Sequence, residues 1–287
     1  MIASQPMDVH ILCIAGPTGS GKSARAIDEA LSRNGEIISV DSRQVYRGLD
    51  IGTEKILLAQ RRGIPHHLID ILDARESYSA GDFVIDATRL IDEIRTRGRL
   101  PILAGGTHFY FDALLRGLPE ATPANANLRA ELETVPMEEL YARIQRTDAR
   151  RAGELDPHNR RRLIRALEII AYRGNVPERE KGVVSHLHPE WIIIDPPHEE
   201  LRTKIDMRLA RALQRGLIDE VRRVRKDVGD IRLEDLGLEY RIVGEYLRGE
   251  RPEESVFPAL SAKLWQYARR QKAWLTKLSH EVIGASL

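Results

Sequence analysis

The sequence predicts an α/β fold: a P-loop-type parallel sheet flanked by helices, with an inserted all-α domain. Three observations carry that reading. Short apolar runs of strand character alternate with helix-period patterns through the first 117 residues, which is how parallel strands joined by helical crossovers read. GPTGSGKS (16–23) follows one such run and opens a helical pattern, so G-x-x-x-x-G-K-[ST] is satisfied in the context the motif needs. Between Leu118 and Pro189 strand signals stop, and the chain becomes helical, arginine-rich and punctuated by Pro119, Pro123, Pro136, Pro157 and Pro177.

The elements follow in order. HILCIAG (10–16) is a first strand and SARAIDEALSR its helix; EIISVDS (36–42) is a second strand and HHLIDIL (66–72) a third. Phe83, Ala87, Leu90, Ile91 and Ile94 mark one helix face, and RLPILAGGT (99–107) is a fourth strand. Strand character returns at EWIIID (190–195). Leu201, Ile205, Leu209, Leu213, Leu217 and Val221, at four-residue steps, predict one helix. Leu260, Leu264, Ala268, Gln271, Leu275 and Leu278 predict a second. The expected organisation is a catalytic core of residues 1–117 and 190–287 interrupted by a helical insertion, 118–189.

Composition narrows the function class. The chain has 287 residues, 42% hydrophobic and 30% charged, an ordinary balance for a folded enzyme. Its net charge of +1 excludes a polyanion signature spread over the whole chain. Basic charge is instead local. Nine arginines face four acids between Arg143 and Arg173, and five bases with no acid lie between Lys263 and Lys277. No run reaches the roughly 18 apolar residues of a membrane span, and MIASQPMDVH lacks the basic and apolar regions of a signal peptide, so no membrane role and a cytoplasmic location are expected. The single Cys13 cannot build a disulfide framework, and its apolar run ILCIAG predicts burial. His66, His67 and His108 lack metal-ligand spacing and read as surface or satisfied core residues.

In the loop Gly16-Pro17-Thr18-Gly19-Ser20-Gly21-Lys22-Ser23, glycines let backbone amides close on phosphate oxygens at a helix N-terminus. Lys22 adds a point charge, and the Ser23 hydroxyl suits Mg²⁺. Asp41, at the end of a strand, could hold Mg²⁺, act as a general base or cap a turn. Asp195 ends a strand too, but Pro196-Pro197 behind it favours a structural role. AGGT (104–107) permits close backbone approach by a ligand, with Thr107 either beside that ligand or capping the next helix. Arg160, Arg161, Arg162 and Arg165 cluster within two turns. Trp265, Tyr267 and Trp274 interleave with Lys263, Arg269, Arg270 and Lys272, a combination suited to phosphate contacts and base stacking. A P-loop small-molecule kinase and a nucleotide-switched RNA-binding protein both stay open, although no N-K-x-D guanine signature occurs.

Taken together, GPTGSGKS, IISVDSRQVYRGLDIGTEK (37–55), YSAGDF (78–83), LPILAGGTHFY (100–110), RRLIRALEI (161–169) and YARRQKAWL (267–275) resemble the bacterial tRNA dimethylallyltransferases in order and over nearly the whole chain. The resemblance implies that the loop cradles dimethylallyl diphosphate, that no nucleoside triphosphate is split, and that an adenine amine beside the tRNA anticodon attacks the prenyl carbon. It implies that Asp41 accepts the amine proton, Thr107 lies near the bridging oxygen, and Arg208 joins Lys22 on the leaving diphosphate. It places Asp41, Ser42, Arg43, Gln44, Thr107, Arg161, Arg162, Arg165, Tyr240, Arg241 and Gln271 near the tRNA anticodon stem-loop, with Mg²⁺ as cofactor, and a monomer suffices for such a substrate. Two segments depart from the family pattern. His108 and Phe109 stand where relatives often have glycine and leucine, and GLEYRIVGEYL replaces G-Y-[KR].

Overall fold

The structure, a computed structural model, describes residues 9–118, 125–177 and 187–284; the first eight residues, read above for a signal segment, and Pro119 and Pro123 lie outside them. The chain divides into two compact units, residues 1–115 with 185–287, and residues 116–184.

The first unit is built on five parallel strands: β1 (Val9–Ala15), β2 (Gly35–Val40), β3 (His66–His67), β4 (Leu100–Gly105) and β5 (Leu187–Ile193), in the spatial order β3-β2-β4-β1-β5. Every residue of β2 and all but His10 of β1 are buried, the pattern of strands covered on both faces. Cys13 is buried among them, as expected, and burial pushes its thiol pKa up, away from reactivity. The helices are α1 (Lys22–Ser32), α2 (Ala80–Thr96), α3 (His108–Arg116), α4 (Ala126–Thr134), α5 (Met137–Thr147), α6 (Ala149–Glu154), α7 (Arg160–Arg173), α8 (His198–Gln214), α9 (Leu217–Asp235), α10 (Leu238–Leu247) and α11 (Val256–Gly284). All five residues picked for α2 are buried, and Ser79 and Asp82 close a reciprocal cap at its start. All six picked for α11 are buried as well.

Two readings need correction. HHLIDIL does not continue as a strand beyond His67, because Leu68 and Asp70 both adopt φ of 59°, which breaks the ladder; Leu72 returns only as an isolated bridge to Tyr46. The four-residue stepping from Leu201 to Val221 spans two helices rather than one. Gly216, at φ 96°, cannot extend a right-handed helix, so α8 ends and α9 begins there. Leu213 is only partly buried, and Ala212 takes the inward place. A further helix, α10, follows α9.

In the second unit α4 to α7 close their own core around Leu132, Leu140, Ile144, Leu163, Ile164 and Leu167. Two carboxylates are buried in this unit: Asp148 accepts the Arg151 and Val176 backbone N–H groups (2.9 Å each), and Glu168 lies deeper. Glu168 accepts from Arg129 (3.0 and 2.8 Å) and Arg165 (3.2 Å), so a carboxylate that would be costly alone is paired.

The register sets the active edge. Val40 pairs with Gly105, and a Cβ on Gly105 would overlap the Val40 carbonyl. Gly105→Ala should therefore force β2 and β4 apart and lower stability by about 3 kcal/mol. A urea unfolding series showing a loss below about 1 kcal/mol would mean the strand ends tolerate a side chain there.

Candidate phosphate-binding active site

All five strands run the same way, so the loops after β1, β2 and β4 open at one edge of the sheet. β4 separates β2 from β1; Asp41 and the glycine-rich loop are therefore not on adjacent strands but flank the Gly105-Gly106-Thr107 turn. Residues from all three loops line a cavity of about 790 Å³, together with residues from α8, α10, α11 and the segment 52–57.

The loop turns through Gly19 (φ 81°) and Gly21 (φ 91°), conformations that an L side chain disfavours. Gly16 is excluded from carrying a side chain for another reason: a Cβ would lie 2.7 Å from both the Ile194 carbonyl and Ser20 Oγ. The Ser20 hydroxyl is buried without a partner among the described residues. Lys22 begins α1 and its Nζ donates to the Pro17 carbonyl (2.8 Å). Arg208, from α8, donates through Nη1 to Thr18 Oγ1 (2.6 Å) and lies 4.0 Å from Glu54. Burial, with repulsion from Arg208 and against attraction from Asp41, pushes the Lys22 pKa down to about 8. Ser23 is exposed at the cavity wall.

Asp41 is half-buried, and its Oδ1 accepts the Arg43 N–H (2.8 Å) and the Gln44 N–H (3.2 Å). Capping a turn and facing the cavity thus prove compatible, one for each oxygen. No hydrogen bond reaches Oδ2 among the described residues. Thr107 Oγ1 accepts the Ser42 N–H (3.2 Å), and the Thr107 N–H donates to the Val40 carbonyl (3.2 Å), so two of the loops are stitched together. Gln44 bonds Ser39 through Oε1 (3.1 Å) and the Thr53 carbonyl through Nε2 (3.0 Å).

Residues that pattern reading passed over hold this edge. Glu220 of α9 is 1% exposed and accepts the backbone N–H groups of Asp50 (2.9 Å), Ile51 (2.7 Å) and Gly52 (2.9 Å). The Tyr240 hydroxyl completes the set at 2.7 Å. That carboxylate pins the segment carrying Thr53 and Glu54, which in turn touch Gln44 and Arg208. Glu239 lines the cavity, and burial raises its pKa, with Asp41 and Glu54 adding to the rise and Arg208 opposing it. Tyr267 lines it too and is pushed up to about 12, chiefly by burial.

Several expected contacts are placed differently. Tyr240 lies at the cavity wall but is fully buried, and its hydroxyl is spent on Glu220. Gln271 is 2% exposed, its Oε1 accepting the Thr18 N–H and its Nε2 donating to the Gly106 carbonyl. Arg241 is exposed and bonds the Glu234 carbonyl (3.1 Å). Trp265 and Trp274 are not stacking platforms. The first packs against His198 and lies under Arg202; the second stacks on His108 (4.5 Å between centroids) and donates to Asp112. His108 is not a satisfied core residue: its Nε2 is buried without a partner among the described residues. Burial and Lys22 push its pKa down to about 4, so it stays neutral. His66 and His67 bond the Ile64 carbonyl and Glu36. Asp195 pairs with Lys272, as its structural reading expects.

The arginine cluster divides. Arg160 donates to the Leu132 (3.1 Å), Glu133 and Val135 (2.6 Å) carbonyls and so closes the end of α4. Arg165 is committed to Glu168. Arg161 and Arg162 are exposed and make no side-chain bond among the described residues. Arg160→Ala should cost the second unit about 1–2 kcal/mol, whereas Arg161→Ala with Arg162→Ala should change stability by less than about 0.5 kcal/mol. Equal losses in thermal or urea melts would show that Arg160 does not close the end of α4.

A phosphate-loop motif and an acid at the C-terminal edge of a parallel sheet define the chain as an α/β protein of the P-loop class. Within that class it belongs to the IPP transferase family, whose model matches residues 44–278. It is 42% identical to a tRNA dimethylallyltransferase of Thermomicrobium roseum over 93% of this chain and 84% of that protein, and 41% identical to one of Halorhodospira halophila over 94% and 90%. Among solved structures, the full-length tRNA isopentenylpyrophosphate transferase of Bacillus halodurans superposes with a TM-score of 0.69 at 35% identity, covering 93% of this chain and 87% of that one. A eukaryotic dimethylallyltransferase described as acting on tRNA gives 0.78 at 28% identity, over 93% and 69%.

Proposed function

We propose that the protein transfers a dimethylallyl group from dimethylallyl diphosphate to the exocyclic amine of the adenine on the 3′ side of the anticodon in tRNA, releasing diphosphate. The observation that carries this reading is that Asp41 shares one cavity with Lys22 and Arg208, so an acid that can take a proton faces cations that can hold a leaving diphosphate.

The bond that forms joins the amine nitrogen to the prenyl carbon; the bond that breaks is the carbon–oxygen bond to diphosphate, which leaves with the electron pair. Negative charge grows on the departing oxygens, where Lys22, Arg208 and the loop amides of Gly19, Gly21, Lys22 and Ser23 are preorganised to stabilise it. The nitrogen gains positive charge, and Asp41 Oδ2 accepts its proton while Oδ1 stays fixed by two amides. Thr107 keeps its own hydroxyl proton to donate to the bridging oxygen, since its Oγ1 is an acceptor toward Ser42. A base stacked in its loop cannot reach this edge and must be turned out of the stack. Ser42, Arg43, Arg161, Arg162 and Arg241 are the exposed or half-exposed residues assigned to the anticodon stem-loop, with Arg165 contributing beside its ion pair. One copy of the chain suffices.

Mg²⁺ fits the site. The Ser23 hydroxyl, exposed at the cavity wall, would offer the ion one oxygen beside those of the diphosphate. When bound, the ion neutralises diphosphate charge.

No helix among the described residues is long and apolar enough to cross a membrane.

Asp41→Asn should lower prenyl transfer to tRNA at least about a hundredfold with tRNA affinity retained. Mass analysis of tRNA nucleosides after incubation with the donor reads this directly. An active variant removes the base assignment, and acceptor-dependent ATP consumption would replace transfer with kinase chemistry.

The Lys22 pKa gives a second test. A bound diphosphate raises that pKa above about 8, so the lysine's contribution to donor affinity is complete below pH 8 and declines as pH rises through the bound-state value. Donor KM should rise about tenfold per pH unit above 8 until that value is passed. A flat profile from pH 7 to 9.5 would contradict the role.

A further inference from the structure

We infer that Gln271 is a positioning residue that clamps the phosphate loop to the Gly105–Thr107 turn and sets the geometry in which diphosphate is held, and that it is not a tRNA contact. The inference rests on the diphosphate-binding reading above and deepens it.

Gln271 comes from α11, more than 160 residues beyond either loop it touches. Its Oε1 accepts the Thr18 N–H at 2.8 Å and its Nε2 donates to the Gly106 carbonyl at 2.8 Å. Only a side chain with an acceptor and a donor on one planar group can make both bonds. Glutamate would accept from Thr18 but have nothing to give Gly106, leucine would do neither, and asparagine is one methylene too short. The side chain is 2% exposed, and Leu264, Ala268 and Leu275 on the same face of α11 are buried too, which fixes the helix rotation that aims it. The approach needs a glycine opposite: a Cβ on Gly106 would lie 2.6 Å from Nε2.

Thr18 is therefore held at two points. Its amide is taken by Gln271 and its hydroxyl by Arg208 Nη1 (2.6 Å). A loop fixed in this way keeps its remaining amides aimed before an anion arrives, so binding loses less to ordering. The same clamp sets where Arg208 meets the loop. Outward residues of α11, Arg269 and Arg270, are exposed and offer charge to solvent, whereas Gln271 offers none. Without the clamp, a Thr18 N–H and a Gly106 carbonyl lose their partners.

The test measures two affinities in parallel with the full chain: inorganic pyrophosphate with Mg²⁺ by titration calorimetry, and tRNA by filter binding. Gln271→Leu should weaken pyrophosphate about tenfold or more and leave tRNA affinity within about twofold. Gln271→Met, close in length but able to make neither bond, should behave as the Leu variant does, and it serves where the Leu variant does not fold. Amide exchange in the ligand-free protein should quicken in peptides covering 16–21 and 104–107. Loss of tRNA affinity with pyrophosphate binding intact would overturn the inference, as would equal losses of both or unchanged exchange in the two peptides. Failure of the wild-type chain to bind pyrophosphate would instead overturn the functional reading, while the exchange measurement would still decide whether the clamp exists.

Discussion

Two cations share one partly dry cavity, and the rest of the site follows from that. Burial disfavours charge on Lys22 and Arg208 repels it, so an anion bound beside the two cations is electrostatically favoured. Asp41 opposes that repulsion, but more weakly than burial and Arg208 act. A ligand carrying several negative oxygens is the natural complement. A leaving group that gains charge during reaction is a better one still, since the attraction is then strongest in the transition state.

Holding like charges together needs a scaffold that does not give way, and the parallel sheet with its buried struts supplies it. The strand ends are locked by the Val40–Gly105 pair, where only glycine fits. From outside the sheet, α9 reaches in with Glu220 and fixes the segment 50–52 through three amides and the Tyr240 hydroxyl. A buried carboxylate with four donors has its charge satisfied by hydrogen bonding alone and needs no cation. The site's own cations are therefore left facing the cavity.

Much of this was legible in the sequence because it is written in local pattern. The phosphate loop lies between one strand and one helix, and α2 and α11 repeat their apolar residues at helical steps. What was not legible depends on backbone conformation or on partners far along the chain. Leu68 and Asp70 look like strand residues until a positive φ takes them out of the ladder. Gly216 divides a hydrophobic stripe that keeps its period across the break. Glu220 reads as one more acid on a charged helix, and its role appears only when three amides about 170 positions away are brought to it. A capping box such as Ser79–Asp82 can be seen in advance because both partners lie within one turn; a long-range nest cannot.

The basic patches show the same limit in a form that bears on recognition. Counting charge along residues 143–173 treats every arginine as a candidate phosphate contact, yet desolvation and hydrogen bonding decide which guanidinium groups stay available. Arg160 is consumed by three carbonyls at the end of α4, and Arg165 and Arg129 by a carboxylate buried in the core of their unit. These are the bonds that let a small helical unit tolerate so much charge. Arg161 and Arg162, on the turn between those commitments, remain exposed. Affinity for a polyanion scales with the cations that can shed counter-ions, so the unit's capacity is set by its exposed arginines, Arg161 and Arg162 with Arg146, Arg150 and Arg173, more than by the net charge of the segment. The same reasoning removes Trp265 and Trp274 from the list of base-stacking surfaces, whereas Tyr267, on the same helix, lines the cavity together with Asp41.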